Sequence, residues 1–376
     1  MPAKKTTRRS ASGKTGDKRR ALKHTRATIS DVAEHCGLSK ATVSRILGDS
    51  AGNYSIRPAT RERVQAAAQL LGYQPNRLAR AIASSRTRLI GLAIPARRVR
   101  QVEGVAPVSV ITSISHILLS GIFALPEFQG YDLVIHKYDQ SPESAQMPVN
   151  FNEDLLDGLI FIDPGAQAKK ILETMAKKMP VIALGTYDSH IRFRAIDADN
   201  RRLTCLAGEY LIRQFGGEVI YVENRNLSSL VCMKLRREGF AQALRQQALD
   251  SDENRFHRLP IENDSLPPEA LEEVLAARRP RAIMASSDDV AVAVLEAARN
   301  LRLKIPEDIG LMGFGDAVIS QTCRPSLSTV QLPFFDLARQ AASEIIATLD
   351  RGMKYQSGMH LLSEGDLILR ESTALA

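Results

Sequence analysis

Thr28-Ile29-Ser30-Asp31-Val32-Ala33-Glu34-His35-Cys36-Gly37-Leu38-Ser39-Lys40-Ala41-Thr42-Val43-Ser44-Arg45-Ile46-Leu47 reads as two short helices meeting at a glycine turn. Ser30 is expected to cap the first helix, whose apolar face is Val32, Ala33 and Cys36, and Gly37 gives the backbone freedom that ends it. Ser39 caps the second. There Val43, Ile46 and Leu47 turn inward, leaving Lys40, Ala41, Thr42, Ser44 and Arg45 outside. A face of small, hydroxyl and basic residues suits a DNA major groove, although any small helical hairpin shares the spacing.

Working outward, residues 60–71 form a third amphipathic helix through Val64, Ala67, Ala68 and Leu71. Gly72 stops it and Pro75 keeps it from resuming. Together the blocks around Thr28 to Leu47, Thr60-Arg61-Glu62-Arg63-Val64 and Leu71-Gly72-Tyr73-Gln74-Pro75-Asn76 resemble the head of the lactose-repressor (LacI/GalR) family. The segment 48–59 is a few residues longer than the loop usual there. The resemblance implies that Asn76-Arg77-Leu78-Ala79-Arg80-Ala81-Ile82-Ala83 is a hinge helix, with Asn76 and Ala79 at the DNA and Ile82 wedged into the minor groove. On the second helix it points to Lys40, Ala41 and Arg45 for base edges, with Thr42 and Ser44 on phosphate or base.

Charge follows the same division. Residues 1–27 hold ten Lys or Arg and one Asp, a net +9; residues 28–86 add +4, so the overall +8 leaves −5 for residues 87–376. The first 27 residues lack any apolar run and read as a disordered basic tail that adds salt-sensitive phosphate contacts or is simply solvated. Gly13-Lys14-Thr15 lacks the upstream glycine, strand and helix of a phosphate loop. The domain plan is therefore a tail (1–27), a helix-turn-helix head (28–75), a hinge helix and linker (76–88) and a large effector-binding and dimerisation domain (89–376).

From Leu89 onward, β-branched runs alternate with helical stretches, the pattern of parallel α/β units. Strands are expected at 89–94, 131–136, 158–162, 181–184, 195–197, 218–222, 282–285 and 309–313, with helices at 203–215, 234–248, 265–277 and 288–300. The fold class is α/β: a three-helix head joined to a two-lobed, periplasmic-binding-protein-like core of doubly wound parallel sheets. The family likeness resumes at Asp157-Gly158-Leu159-Ile160, Asp199-Asn200, Arg236-Arg237-Glu238-Gly239-Phe240, Ser287-Asp288-Asp289, Gly313-Phe314 and Leu369-Arg370-Glu371-Ser372-Thr373. It implies lobes at 89–192 plus 332–356 and at 193–331 plus the C-terminal strand.

By the same likeness, effector contacts fall on Arg236, Ser287, Asp288 and Asp316. Arg236 offers a fork of donors for hydroxyl, carboxylate or phosphate oxygens, and Asp316 accepts from hydroxyls beyond a strand end. The alternative for Arg236 and Asp316 is ion pairing between lobes, and for Asp288 a helix cap. Ser287 replaces the family's usual asparagine, and Gly185 stands where many sugar-binding members carry aspartate. Loop 96–107 is lengthened and segment 140–152 shortened.

The expected function is a sequence-specific transcriptional regulator, a repressor by type, controlled by a carbohydrate-like effector. Its partners are double-stranded operator DNA, that effector and a second copy of the chain, since one head reads only a half-site. No membrane partner, cofactor or metal is expected. The four cysteines are scattered without a C-x-x-C pair and read as reduced thiols. No window reaches transmembrane length, no apolar signal core follows the basic start, and a cytoplasmic protein is expected. A solute receptor would share the clamp but not the head. A Rossmann-type enzyme would need a glycine fingerprint that Ile94-Pro95-Ala96-Arg97 lacks, and no catalytic residues are expected.

Overall fold

The structure is a computed structural model that describes residues 27–47, 56–74, 81, 86–95, 110–138, 155–164, 168–185, 191–228, 230–260, 267–354, 356–362 and 365–375. Most of the expected tail, the hinge positions Asn76, Ala79 and Ile82, and the altered segments 96–107 and 140–152 lie outside the described residues. The chain divides into two compact units, Met1–Ser85 and Arg86–Ala376.

In the first unit three helices, α1 (Ile29–Cys36), α2 (Lys40–Leu47) and α3 (Pro58–Leu70), enclose one core. Val32, Ala33, Cys36, Val43, Ile46, Val64, Ala67 and Ala68 are buried there, as the spacing requires. Ser30 is not the first cap. Thr28 takes that place: its hydroxyl accepts from the Asp31 N–H while Asp31 Oδ2 accepts from the Thr28 N–H at 2.7 Å, a reciprocal box that a serine one position inside the helix cannot form. Gly37 ends α1 in the left-handed region at φ 59°. Pro58 starts α3 two residues ahead of the expected Thr60.

The second unit holds two six-stranded sheets. The strands are β1 (Leu89–Pro95), β2 (Asp132–Tyr138), β3 (Gly158–Ile162), β4 (Val181–Leu184), β5 (Arg194–Ala198), β6 (Val219–Asn224), β7 (Phe256–Leu259), β8 (Ala282–Ala285), β9 (Gly310–Gly315), β10 (Ser328–Gln331), β11 (Gly358–Leu362) and β12 (Asp366–Ile368). The first sheet runs β11-β5-β4-β3-β1-β2, all parallel. The second runs β12-β10-β9-β8-β6-β7, parallel except where β12 meets β10. Helices cover both faces of each sheet, which is why central strands such as β4 and β8 are apolar throughout. One face of the first sheet packs on helices Val110–Phe123 and Phe334–Arg351 through Leu118, Ile122, Leu337 and Ile345. In the second, helices Asn200–Phe215 and Val231–Gln246 cover one face, and Pro268–Arg278 and Asp288–Asn300 the other.

The chain crosses between lobes three times, near residue 199, at 332–333 and at 363–365. The expected lobe boundary at 193 is too early. β5 pairs with β4 in the first sheet and so does not open the second lobe. β11 completes the first sheet beside β5. Among the described residues no helix is long and apolar enough to cross a membrane.

Candidate DNA-binding face and effector cleft

The second helix of the head is a short scaffold with one exposed side. Its N-terminus is fixed by Ser39, whose Oγ accepts from the Thr42 N–H at 3.1 Å and lies 2.8 Å from Thr42 Oγ1. Val43 and Ile46 hold the inner face in the core. That leaves Lys40, Ala41, Ser44 and Arg45 exposed and Thr42 half-buried, so four of the five expected groove residues face solvent. Thr42 spends its hydroxyl on the cap, where it can still accept from a phosphate.

In the effector unit the sheets' carboxyl ends gather the polar side chains, as expected beside strands where the order reverses. Helix Val231–Gln246 approaches helix Asn200–Phe215 closely at Gly239, where a Cβ would collide with the Arg201 carbonyl oxygen. That contact brings Arg236 within reach of Asn200: Nε donates to Asn200 Oδ1 at 2.8 Å and Nη1 to the Ser286 carbonyl at 2.6 Å. The guanidinium also stacks 3.8 Å above the Phe314 ring. Asn200 is itself held, Nδ2 donating to Asp197 Oδ2 at 2.9 Å. Cys232 lies one turn earlier, and its thiol is pushed up to about 12, by burial first and then by the Asp163 carboxylate, so it stays protonated. Asp163 lies just past β3 in the first lobe, so this influence acts from one lobe on the other.

The other expected contacts have different surroundings. Ser287 is the N-cap of helix Asp288–Asn300, its Oγ accepting from the Val290 N–H at 3.4 Å. Asp288 is therefore not that cap. It is fully buried, Oδ1 accepting from Thr329 Oγ1 at 2.6 Å and Oδ2 from the Ala317 N–H at 2.7 Å, and burial raises its pKa to about 6. Glycine at 313 makes room for it, because a Cβ there would strike Asp288 Oδ1. Asp316 has φ 51°, and its carboxylate accepts from Arg370 Nη2 at 2.7 Å, Gln331 Nε2 at 3.0 Å and Ser320 Oγ at 3.1 Å. These bonds lie within the second lobe, and among the described residues neither Asp288 nor Asp316 makes an ion pair between lobes.

Asn200, Ser286, Phe314 and Arg370 are members of these clusters that spacing does not single out. Asn200, Phe314 and Arg370 stand in the family-like blocks Asp199-Asn200, Gly313-Phe314 and Leu369-Arg370-Glu371, the signal that could have found them. Free thiols are found at all four cysteines, three of them buried.

These two sites define a class: a helix-turn-helix protein carrying a two-lobed ligand clamp. Residues 28–76 match the family of bacterial regulatory proteins of the lacI type, and residues 212–373 match a periplasmic binding protein-like domain. The chain thus carries a LacI family DNA-binding domain followed by a periplasmic-binding-protein-like domain. Catabolite control protein A of Priestia megaterium is 26% identical over 320 residues, covering 84% of this chain and 90% of its own. The transcriptional repressor CytR of Escherichia coli K12 is 25% identical over 356 residues, 93% and 97% of the two chains. In structure, the lac repressor dimer bound to operator and the anti-inducer ONPF superposes with TM-score 0.75 at 23% identity, covering 93% of this chain and all of that one. A complex of the regulator CelR with cellobiose gives 0.63 at 22%, covering 92% and 100%. These similar proteins are regulators rather than enzymes.

Proposed function

We propose that this chain is a sequence-specific transcriptional regulator, a repressor, that grips operator DNA as a homodimer through its head and changes affinity when a small molecule occupies the cleft between its lobes. The observation that carries the reading is the exposed side of α2, where Lys40, Ala41, Ser44 and Arg45 stand on a helix whose other side is locked in a core. Lys and Arg there suit guanine O6 and N7, and two heads related by a twofold axis suit two half-sites. Asn76, Ala79 and Ile82 supply the hinge contacts. In the cleft Arg236 is the principal contact, with Ser287 and Asp316 at its rim and Asp288 acting through the segment it braces. The similar regulator solved with cellobiose makes a carbohydrate-like ligand the first class to try. The protein works in the cytoplasm and catalyses nothing.

Fluorescence anisotropy of the full chain on its own upstream DNA, at fixed salt, tests this. Expected is tight binding that scrambled DNA does not compete away, lowered by about 1–3 kcal/mol in Arg45→Ala. Binding that ignores sequence and disappears with salt would remove the operator reading.

A further inference from the structure

We propose that the effector carries an oxyanion, a carboxylate or a phosphate, seated on Arg236. This rests on the cleft reading above and gives it a chemical class. Arg236, 8% exposed, is the most deeply buried arginine among the described residues. Its partners are neutral: an amide oxygen, a backbone carbonyl and a phenyl ring. No carboxylate among the described residues comes within salt-bridge distance of it, and Nη2 is left without a hydrogen-bond partner. Arg255, half-buried, also bonds only carbonyls, those of Gly217 and Val219, but three other inward arginines are paired with carboxylates. Arg237, next in sequence, meets Glu223 at 2.7 Å, Arg370 meets Asp316 at 2.7 Å, and Arg194 meets Glu344 at 3.0 Å.

A desolvated guanidinium without a counter-charge is costly, and the cost is removed when an anion arrives. The surroundings favour one from outside. Asp197 Oδ1 accepts from the Ala198 N–H and Oδ2 from Asn200 Nδ2, and both oxygens of Asp288 are engaged as well. At the ends of β4 and β9 the chain places Gly185 and Gly315, with φ 148° and 132°, so neither position offers a carboxylate. Beside the guanidinium, Ser286 is fully buried and its Oγ has no hydrogen-bond partner among the described residues. That hydroxyl can donate to an oxygen held by Nη2, which gives an oxyanion a charged partner and a neutral one.

The test is isothermal titration calorimetry on the full chain with matched pairs: gluconate against glucose, galacturonate against galactose, and glucose 6-phosphate against glucose. In at least one pair the charged member should bind at least about 30-fold more tightly than its neutral counterpart. Arg236→Gln should abolish that preference. Ser286→Ala should weaken the charged member about 5- to 10-fold without moving the unfolding midpoint, which keeps the test open where Arg236→Gln fails to fold. The carboxylate and phosphate arms tell the two sources of the oxyanion apart. Neutral sugars binding as well as their charged partners, or charged binding that survives both substitutions, would overturn the proposal and leave the effector cleft standing. Heat from no member of any pair, in a protein that still binds its operator, would overturn the proposal and the cleft reading together.

Discussion

The two lobes share one strand order and differ in where most of their side-chain hydrogen bonds gather, Asp197 of the first lobe, buried beside Asn200, being an exception. In the first lobe the bonds cluster where the chain enters. Thr87 N–H and Oγ1 both donate to Asp157 Oδ1 at 2.9 Å, Arg88 N–H donates to Oδ2 at 2.8 Å, and Tyr131 Oη donates to Asp350 at 2.8 Å beside the Arg86–Asp350 pair. In the second lobe they gather at the strand ends and along the last residues, around Asp288, Asp316 and Arg370. The first lobe's bonds thus lie next to residue 86, where the two-lobed unit begins, and the second lobe's at the carboxyl ends of its strands. Apolar clusters fill both lobes, so the polar braces are what distinguishes them.

Substitutions can break this contrast. The largest effect belongs to Asp288→Ala, which strands a buried hydroxyl and a buried N–H and should cost about 2–4 kcal/mol in urea unfolding. Its ionisation gives a second handle. With the folded pKa raised to about 6 from an ordinary 3.8, the folded chain holds the extra proton, so this contribution is full below about 4 and is lost as pH rises through about 6. Asp288→Asn should flatten that slope while keeping most of the stability, because an amide can still accept from Ala317 and donate to Thr329. A variant with an unchanged slope would move the titrating group elsewhere.

Next in size is Asp157→Ala, expected to cost about 1–2 kcal/mol by freeing the N–H groups of residues 87 and 88. If the entry brace transmits movement, this variant also reduces the ratio between operator affinities measured with and without effector. An unchanged ratio would make the brace purely structural. The smallest effect is Thr28→Ala in the head, about 1 kcal/mol from loss of the capping box. It should lower the head's unfolding midpoint and leave that of residues 86–376 in place, since the units are separate. One joint shift of both would show them unfolding together.

Much of the fold could be read in the chain because central parallel strands are continuous apolar runs. Strands 158–162, 181–184 and 282–285 fall where their sequences put them. Phe256–Leu259, Ser328–Gln331 and Gly358–Leu362 are not among the expected strands because each is short and mixes in polar residues; two are sheet edges and one lies next to an edge, and Ser328 and Thr329 are buried with their hydroxyls hydrogen-bonded. The head was the most legible part, since its core is local. The cleft was half legible. A residue type at a strand end can be picked out, but the partner that decides its state comes from far along the chain, as Arg370 does for Asp316. Nothing local separates Arg236, with neutral neighbours, from Arg237 beside it.

The three crossings between lobes also bear on how the protein is made. β5 gains its outer neighbour only when residues 358–362 have emerged, and β10 only with residues 366–368. The first sheet therefore presents an unpaired β5 edge from residue 198 until residue 358 has emerged, and the second sheet an unpaired β10 edge from residue 331 until residue 366. The head needs nothing downstream for its core and can fold first. Pairing between strands so distant in sequence is slow, so a nascent chain carries a finished DNA-binding unit well before the part that regulates it.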